Sequence, residues 1–193
     1  MPEGKVPMLI QTTYFDEPGI ACTEETVRLA VARAKELGIA RMAVASTRGR
    51  TARVALKALA ETDIKMFVLG EDRPDFPASL VADLEAAGHV VAFGSELTYD
   101  YPEVVANAYR KFGEGTKVAV ESVAVATDQG FVAVGEEVVS VAGTGPWGYE
   151  EKGGGADTAL VVAGHFSSEH REDAALPGKV DRRRVKELIC KPR

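Results

Sequence analysis

The segment Ala45 to Ala52, ASTRGRTA, gathers the groups that an anion site needs. The hydroxyls of Ser46, Thr47 and Thr51 can donate to phosphate oxygens, Gly49 lets backbone amides come close, and Arg48 or Arg50 can add charge-assisted hydrogen bonds. An apolar run precedes the segment and a helical pattern follows it, so the free N–H groups and dipole of that helix point at the same place. The competing reading is a helix cap with two solvated arginines, which uses the same residues and binds nothing.

The other motifs carry less. Residues 143–148, GTGPWG, satisfy GxGxxG after a predicted strand, but Tyr149 to Asp157 has glycines and charges without helical period, so the helix that must receive a pyrophosphate is missing. Neither a Walker phosphate loop nor a Gly-x-Ser-x-Gly elbow occurs. His165, Glu169 and His170 fit no zinc spacing and lie in a polar stretch before Pro177, which reads as a surface loop; no metal is expected. Glu121 stands in an apolar segment and reads as a hydrogen-bonded core glutamate. No catalytic residue is nominated.

Positioning elements follow from periodicity. Thr23 to Leu37 carries Val27, Ala30, Val31, Ala34 and Leu37 at helical spacing, with Thr23 as the expected N-cap and Gly38 as the stop. Met42 to Ala45, Lys65 to Leu69 and His89 to Phe93 read as strands, separated by a helix from near Thr51 and another over Ala78 to Ala87. This alternation implies adjacent parallel strands with helical crossovers, whose C-terminal loops share one end of a sheet. Further on, Pro102 to Phe112 is helical, Lys117 to Thr127 fits either period and is read as a buried helix, and Glu137 to Val141 and Thr158 to Val162 are strands. Val185 to Cys190 is a candidate last strand, and Arg182, Arg183 and Arg184 read as a solvated edge.

The 193 residues fit one domain, 1–193, and can bury a sizeable core without staples. With only 7% aromatic residues, that core must be aliphatic. A formal charge of −6 repels a phosphate backbone and excludes a general nucleic-acid binder. The sequence has neither a signal-peptide pattern nor an apolar run of membrane-spanning length, so no membrane partner is expected and a cytoplasmic location is. Cys22 and Cys190, two thiols without CxxC spacing, are expected to be reduced and structural.

Residues from about Thr23 to Val162 resemble the C-terminal domain of pyruvate kinase. ASTRGRTA looks like that domain's phosphate-binding turn, with Ser46, Arg48, Gly49 and Thr51 at its positions. GFVAVGEEVVSVAGTG followed by GADTALVV is similar to its second block: Gly130, Gly135, Glu136, Val138, Val139, Gly143 and Thr158 match, and Asp157 replaces an asparagine. In pyruvate kinase the chemistry belongs to a separate barrel of about 250 residues, so the resemblance does not imply that activity here. The chain is still more similar to a family of short stand-alone proteins with this domain, for which flavin mononucleotide (FMN) is a reported ligand. Its TYFDEPG and KELICKPR look like features of that family.

The resemblance implies a three-layer α/β/α fold with a mostly parallel sheet of five or more strands and an antiparallel edge strand. It implies binding of a phosphorylated small molecule, FMN before others, by Ser46, Thr47, Arg48, Gly49, Arg50 and Thr51 on one arm. Gly143, Thr144, Gly145 and Asp157 form the other arm. Tyr14, Phe15 and Trp147 are the aromatic groups available to stack on a flavin ring, with ordinary packing as the alternative. A sugar bisphosphate needs a second cationic anchor, and the loop after Gly145 offers only Lys152 among acids. A sugar-phosphate sensor and a structural subunit remain the competing classes, and homo-oligomerisation stays open.

Overall fold

The computed structural model describes residues 9–145, 154–169 and 184–193. Twelve regular elements follow one another: β1 (Thr13–Phe15), α1 (Thr23–Leu37), β2 (Arg41–Ala45), α2 (Arg50–Leu59), β3 (Lys65–Gly70), α3 (Ala78–Ala86), β4 (Val90–Phe93), α4 (Glu103–Arg110), α5 (Glu114–Asp128), β5 (Glu137–Ala142), β6 (Thr158–Ala163) and β7 (Val185–Pro192). The strands form one sheet in the order β1-β7-β6-β5-β2-β3-β4.

Strand alternation divides the core between the two faces. On β2, Met42 and Val44 join Val27, Ala30 and Val31 of α1, Ala52 and Ala55 of α2 and Leu80 and Leu84 of α3. Ala43, on the other face, joins Ala119, Val120, Val123 and Ala126 of α5. Successive strand residues point to opposite faces, so an uninterrupted apolar strand is what a sheet covered on both sides demands. This is the expected three-layer arrangement.

The strands β2, β3 and β4 are parallel neighbours, as their single-helix connections require. The chain then crosses by way of α4 and α5 and returns as β5 on the opposite side of β2, again parallel. The antiparallel strand is β6, paired with β5. It does not form the rim: β7 pairs antiparallel to its free side, and the short β1, which its sequence did not announce, pairs parallel to β7. The two ends of the chain thus cover an edge that would otherwise offer unpaired amides.

Local chemistry explains the boundaries. At the start of α1 the cap position belongs to Cys22, not to Thr23. The Thr23 hydroxyl instead accepts the Ala156 N–H at 3.1 Å, because the segment entering β6 passes over that helix end. Gly38 ends the helix, with the Ile39 N–H returning to the Ala34 carbonyl at 2.8 Å. The ambiguous Val-rich segment is helix α5: its apolar residues pack on β5, β6 and β2 at once. Glu121 is paired with Lys117 one turn away, as a core glutamate requires.

Two polar expectations are corrected. His165 is fully buried, with Nδ1 2.8 Å from the Ala163 carbonyl, rather than on a surface loop, because Gly164 still pairs with Gly135 and Glu136 beyond the end of β6 and keeps the chain against the sheet. Arg184 is not a solvated edge; its guanidinium is mostly buried and pairs with Glu169 at 2.7 Å. His170, Arg182 and Arg183 lie outside the described residues. Among the described residues no group of three metal-ligating side chains is found, and no helix is long and apolar enough to cross a membrane.

Two consequences can be measured. A Cβ on Gly115 would sit 2.2 Å from the Thr158 hydroxyl oxygen, so Gly115→Ala must lift α5 from β6. We expect a loss of about 1–3 kcal/mol in urea unfolding with an unchanged slope. Cys22 and Cys190 are both free and buried, and burial pushes the Cys190 thiol up to about 11 from 9.0. Folding favours the protonated thiol, so this stability is present below pH 9 and is lost as pH rises toward 11. Cys190→Ala should flatten the alkaline decline of the unfolding midpoint relative to the parent chain; parallel profiles would refute the assignment.

Candidate functional site

A sheet whose chain leaves β2 in one direction and returns on its other side has a switch point between β2 and β5. There the loops beyond the two strand ends diverge and leave a crevice. The structure has a cavity of about 150 Å³ at this place, lined by Ala45, Ser46 and Thr47 after β2, Gly143 and Gly145 after β5, Gly154 and Gly155 before β6, and Glu114 and Val118 of α5.

On the β2 arm, Ser46 is 6% exposed, and its Oγ accepts the Ala52 N–H at 3.2 Å. Its own hydroxyl proton has no acceptor among the described residues. Gly49 caps α2 at φ +81°, and a Cβ there would lie 2.7 Å from Leu80 Cδ2, so the tight approach to α3 requires glycine. None of the backbone N–H groups of residues 47–51 donates a hydrogen bond within the described residues. Successive free amides at a helix start form a concavity for an anion. Arg48 and Arg50 are exposed and make no ion pair among the described residues, while Thr51 is buried.

On the β5 arm the expected residues divide. Gly143 and Gly145 line the cavity. Gly143 approaches the opposite segment so closely that a Cβ would meet the Gly155 carbonyl oxygen at 1.8 Å. Thr144 does not offer its N–H to the cavity, because that group donates to Asp157 Oδ2 at 3.2 Å. Asp157 is fully buried: Oδ2 also accepts the Gly19 N–H at 3.1 Å, and Oδ1 accepts the Thr158 hydroxyl at 2.9 Å. It holds the loop from beneath rather than lining the cavity.

Two of the three aromatic candidates lie away from the cavity. Tyr14 and Phe15 lie on β1, three strand spacings from β5 or about 14 Å across the sheet. Tyr14 faces Lys191, whose ammonium is 5.5 Å from the ring centroid, and Phe15 packs on the core. Trp147, Tyr149 and Lys152 lie outside the described residues. What the sequence reading passed over is the first turn of α5. Placing its start at Lys117 hid Glu114, although Gly113 followed by an acid is a recognisable helix entrance. The free amides of Glu114 and Gly115 make it a second helix start beside the cavity.

A family-level sequence match agrees with this architecture. The sequence pattern of the family described as pyruvate kinase, alpha/beta domain, matches residues 24–162. A crystal structure of a pyruvate kinase from Cryptosporidium parvum is similar at 17% identity and a TM-score of 0.40, covering 72% of this chain and 22% of that one. This chain therefore spans about a fifth of the length of that enzyme. The family match runs from the first turn of α1 to within one residue of the end of β6, leaving out β1 and β7. Within that span β6 is one of the two outer strands and antiparallel to its neighbour, and the chain belongs to the pyruvate kinase alpha/beta domain family.

Proposed function

We propose that the chain binds a phosphorylated small molecule in the crevice between β2 and β5, with FMN as the first candidate. The observation that carries this reading is the cavity at the switch point. Beside it stand the unengaged amides of residues 47–51 and a buried Ser46 hydroxyl with a proton to give. Phosphate needs several donors at once, and hydrogen bonds to a charged group contribute about 1.5–3 kcal/mol each. The exposed Arg48 and Arg50 add charge at the entrance.

FMN, when bound, supplies a ring that carries electrons. The described residues fit its phosphate, and none of those lining the cavity is aromatic. That same observation favours a second reading, a sensor of a sugar phosphate, for which no stacking wall is needed. A structural subunit that binds neither is the third class.

The visible spectrum of freshly purified protein separates the first two, because bound flavin is yellow and a sugar phosphate colourless. In titrations of apo protein, FMN should bind at least about tenfold more tightly than riboflavin, the worth of one charge-assisted hydrogen bond. Equal affinity for the two flavins would remove the phosphate assignment, and tighter binding of fructose bisphosphate would promote the sensor. Gly143→Val should push Gly155 away and weaken phosphate-ester binding at least about tenfold in a chain that still melts cooperatively.

A further inference from the structure

A site built for an anion has a carboxylate in its wall. Glu114, the first residue of α5, lines the cavity opposite the β2 arm, and among the described residues no lining residue is basic. Its Oε2 accepts a hydrogen bond from Arg110 Nε at 2.9 Å, and its Oε1 has no hydrogen bond among the described residues. Arg110 is shared: its Nη1 also reaches Glu103 Oε1 at 2.8 Å and Asn107 Oδ1 at 3.0 Å. One cation thus serves two carboxylates, and this wall carries a net charge of minus one.

We infer that Glu114 sets the class of molecule the site accepts: a phosphomonoester whose body carries hydroxyl donors, and not a bisphosphate. The inference rests on the phosphate reading above. The phosphate subsite on the β2 arm is made of amides, the α2 dipole and the Ser46 hydroxyl proton. A second phosphate reaching for the free amides of Glu114 and Gly115 must approach the surplus charge of Glu114 and Glu103. A hydroxyl in the same position finds the vacant lone pairs of Oε1 instead. Specificity then arises from a built-in repulsion as much as from a contact.

Ribitol 5-phosphate and ribitol 1,5-bisphosphate share one body and differ by the second phosphate. Calorimetric titration of the full chain with both, and with inorganic phosphate as reference, is the test. The parent chain should favour the monophosphate by about tenfold or more. Glu114→Gln keeps the shape and an acceptor but removes the charge, and should shrink that ratio by about tenfold. Arg110→Met uncovers the carboxylate and should enlarge the ratio, a change in the opposite direction that loss of packing does not produce. A parent chain that prefers the bisphosphate, or a ratio unmoved by both substitutions, overturns the role of Glu114 while inorganic phosphate binding keeps the site. A parent chain that binds none of the three overturns the phosphate reading and this inference with it.

Discussion

Asp157 is a carboxylate withdrawn completely from water and, among the described residues, unpaired with any cation. Such a group is tolerable only if its oxygens are supplied with donors, since an ion buried without them costs several kcal/mol. Its three donors come from Gly19 before α1, Thr144 after β5 and Thr158 at the start of β6. Satisfying one side chain therefore brings together segments more than a hundred residues apart in sequence. The same contacts deliver Gly143 and Gly145 to the cavity, because Thr144 between them is fixed by its amide.

The cavity itself is a product of chain direction. Had the strand after α5 continued outward from β4, the loops after β2 and β3 would close over one another and leave no crevice. Returning on the far side of β2 separates the loops after β2 and β5, and α5 is the crossover that makes the return. That crossover must lie close to the sheet. Gly115 against Thr158 and the chain of alanines along α5 allow it, and Ser140 of β5 donates to the Ala119 carbonyl at 2.8 Å to hold it there. The helix thus sets the sheet order and also presents Glu114 to the cavity.

How much of this was legible depends on whether the signal was local. The bounds of α1 can be read from Val27, Ala30, Val31 and Ala34, because amphipathic spacing and a terminal glycine are properties of adjacent residues. The β2 arm was legible for the same reason: ASTRGRTA carries its hydroxyls, its glycine and its helix start within eight positions. The second arm was legible only in part. Thr144 and Asp157 lie near the cavity in sequence, yet their mutual hydrogen bond turns both away from it, and nothing in the spacing tells a lining residue from a supporting one. The strand β1 has three residues and exists only because β7 offers an edge; Tyr14 and Phe15 follow it away from the crevice. Glu114 was lost to an uncertain boundary, where apolar periodicity fades before the helix does.

The proposed anion site, built from amides, has an electrostatic consequence for a chain of net charge −6. Lysines or arginines in the wall would attract any anion, and their pull would extend over about a Debye length of 8 Å. Amide dipoles and a helix start act over roughly one turn and require the donors to be met at hydrogen-bond distance. The exposed Arg48, Arg50 and Arg53 stand outside the lining, where they raise the local concentration of anions without choosing among them. Choice is left to the short-range groups inside. In the proposed complex a carboxylate held by one side to Arg110 is tolerable beside a bound phosphate only because its second oxygen can be met by a donor from the ligand, so the geometry that weakens attraction for anions in general would sharpen it for one kind.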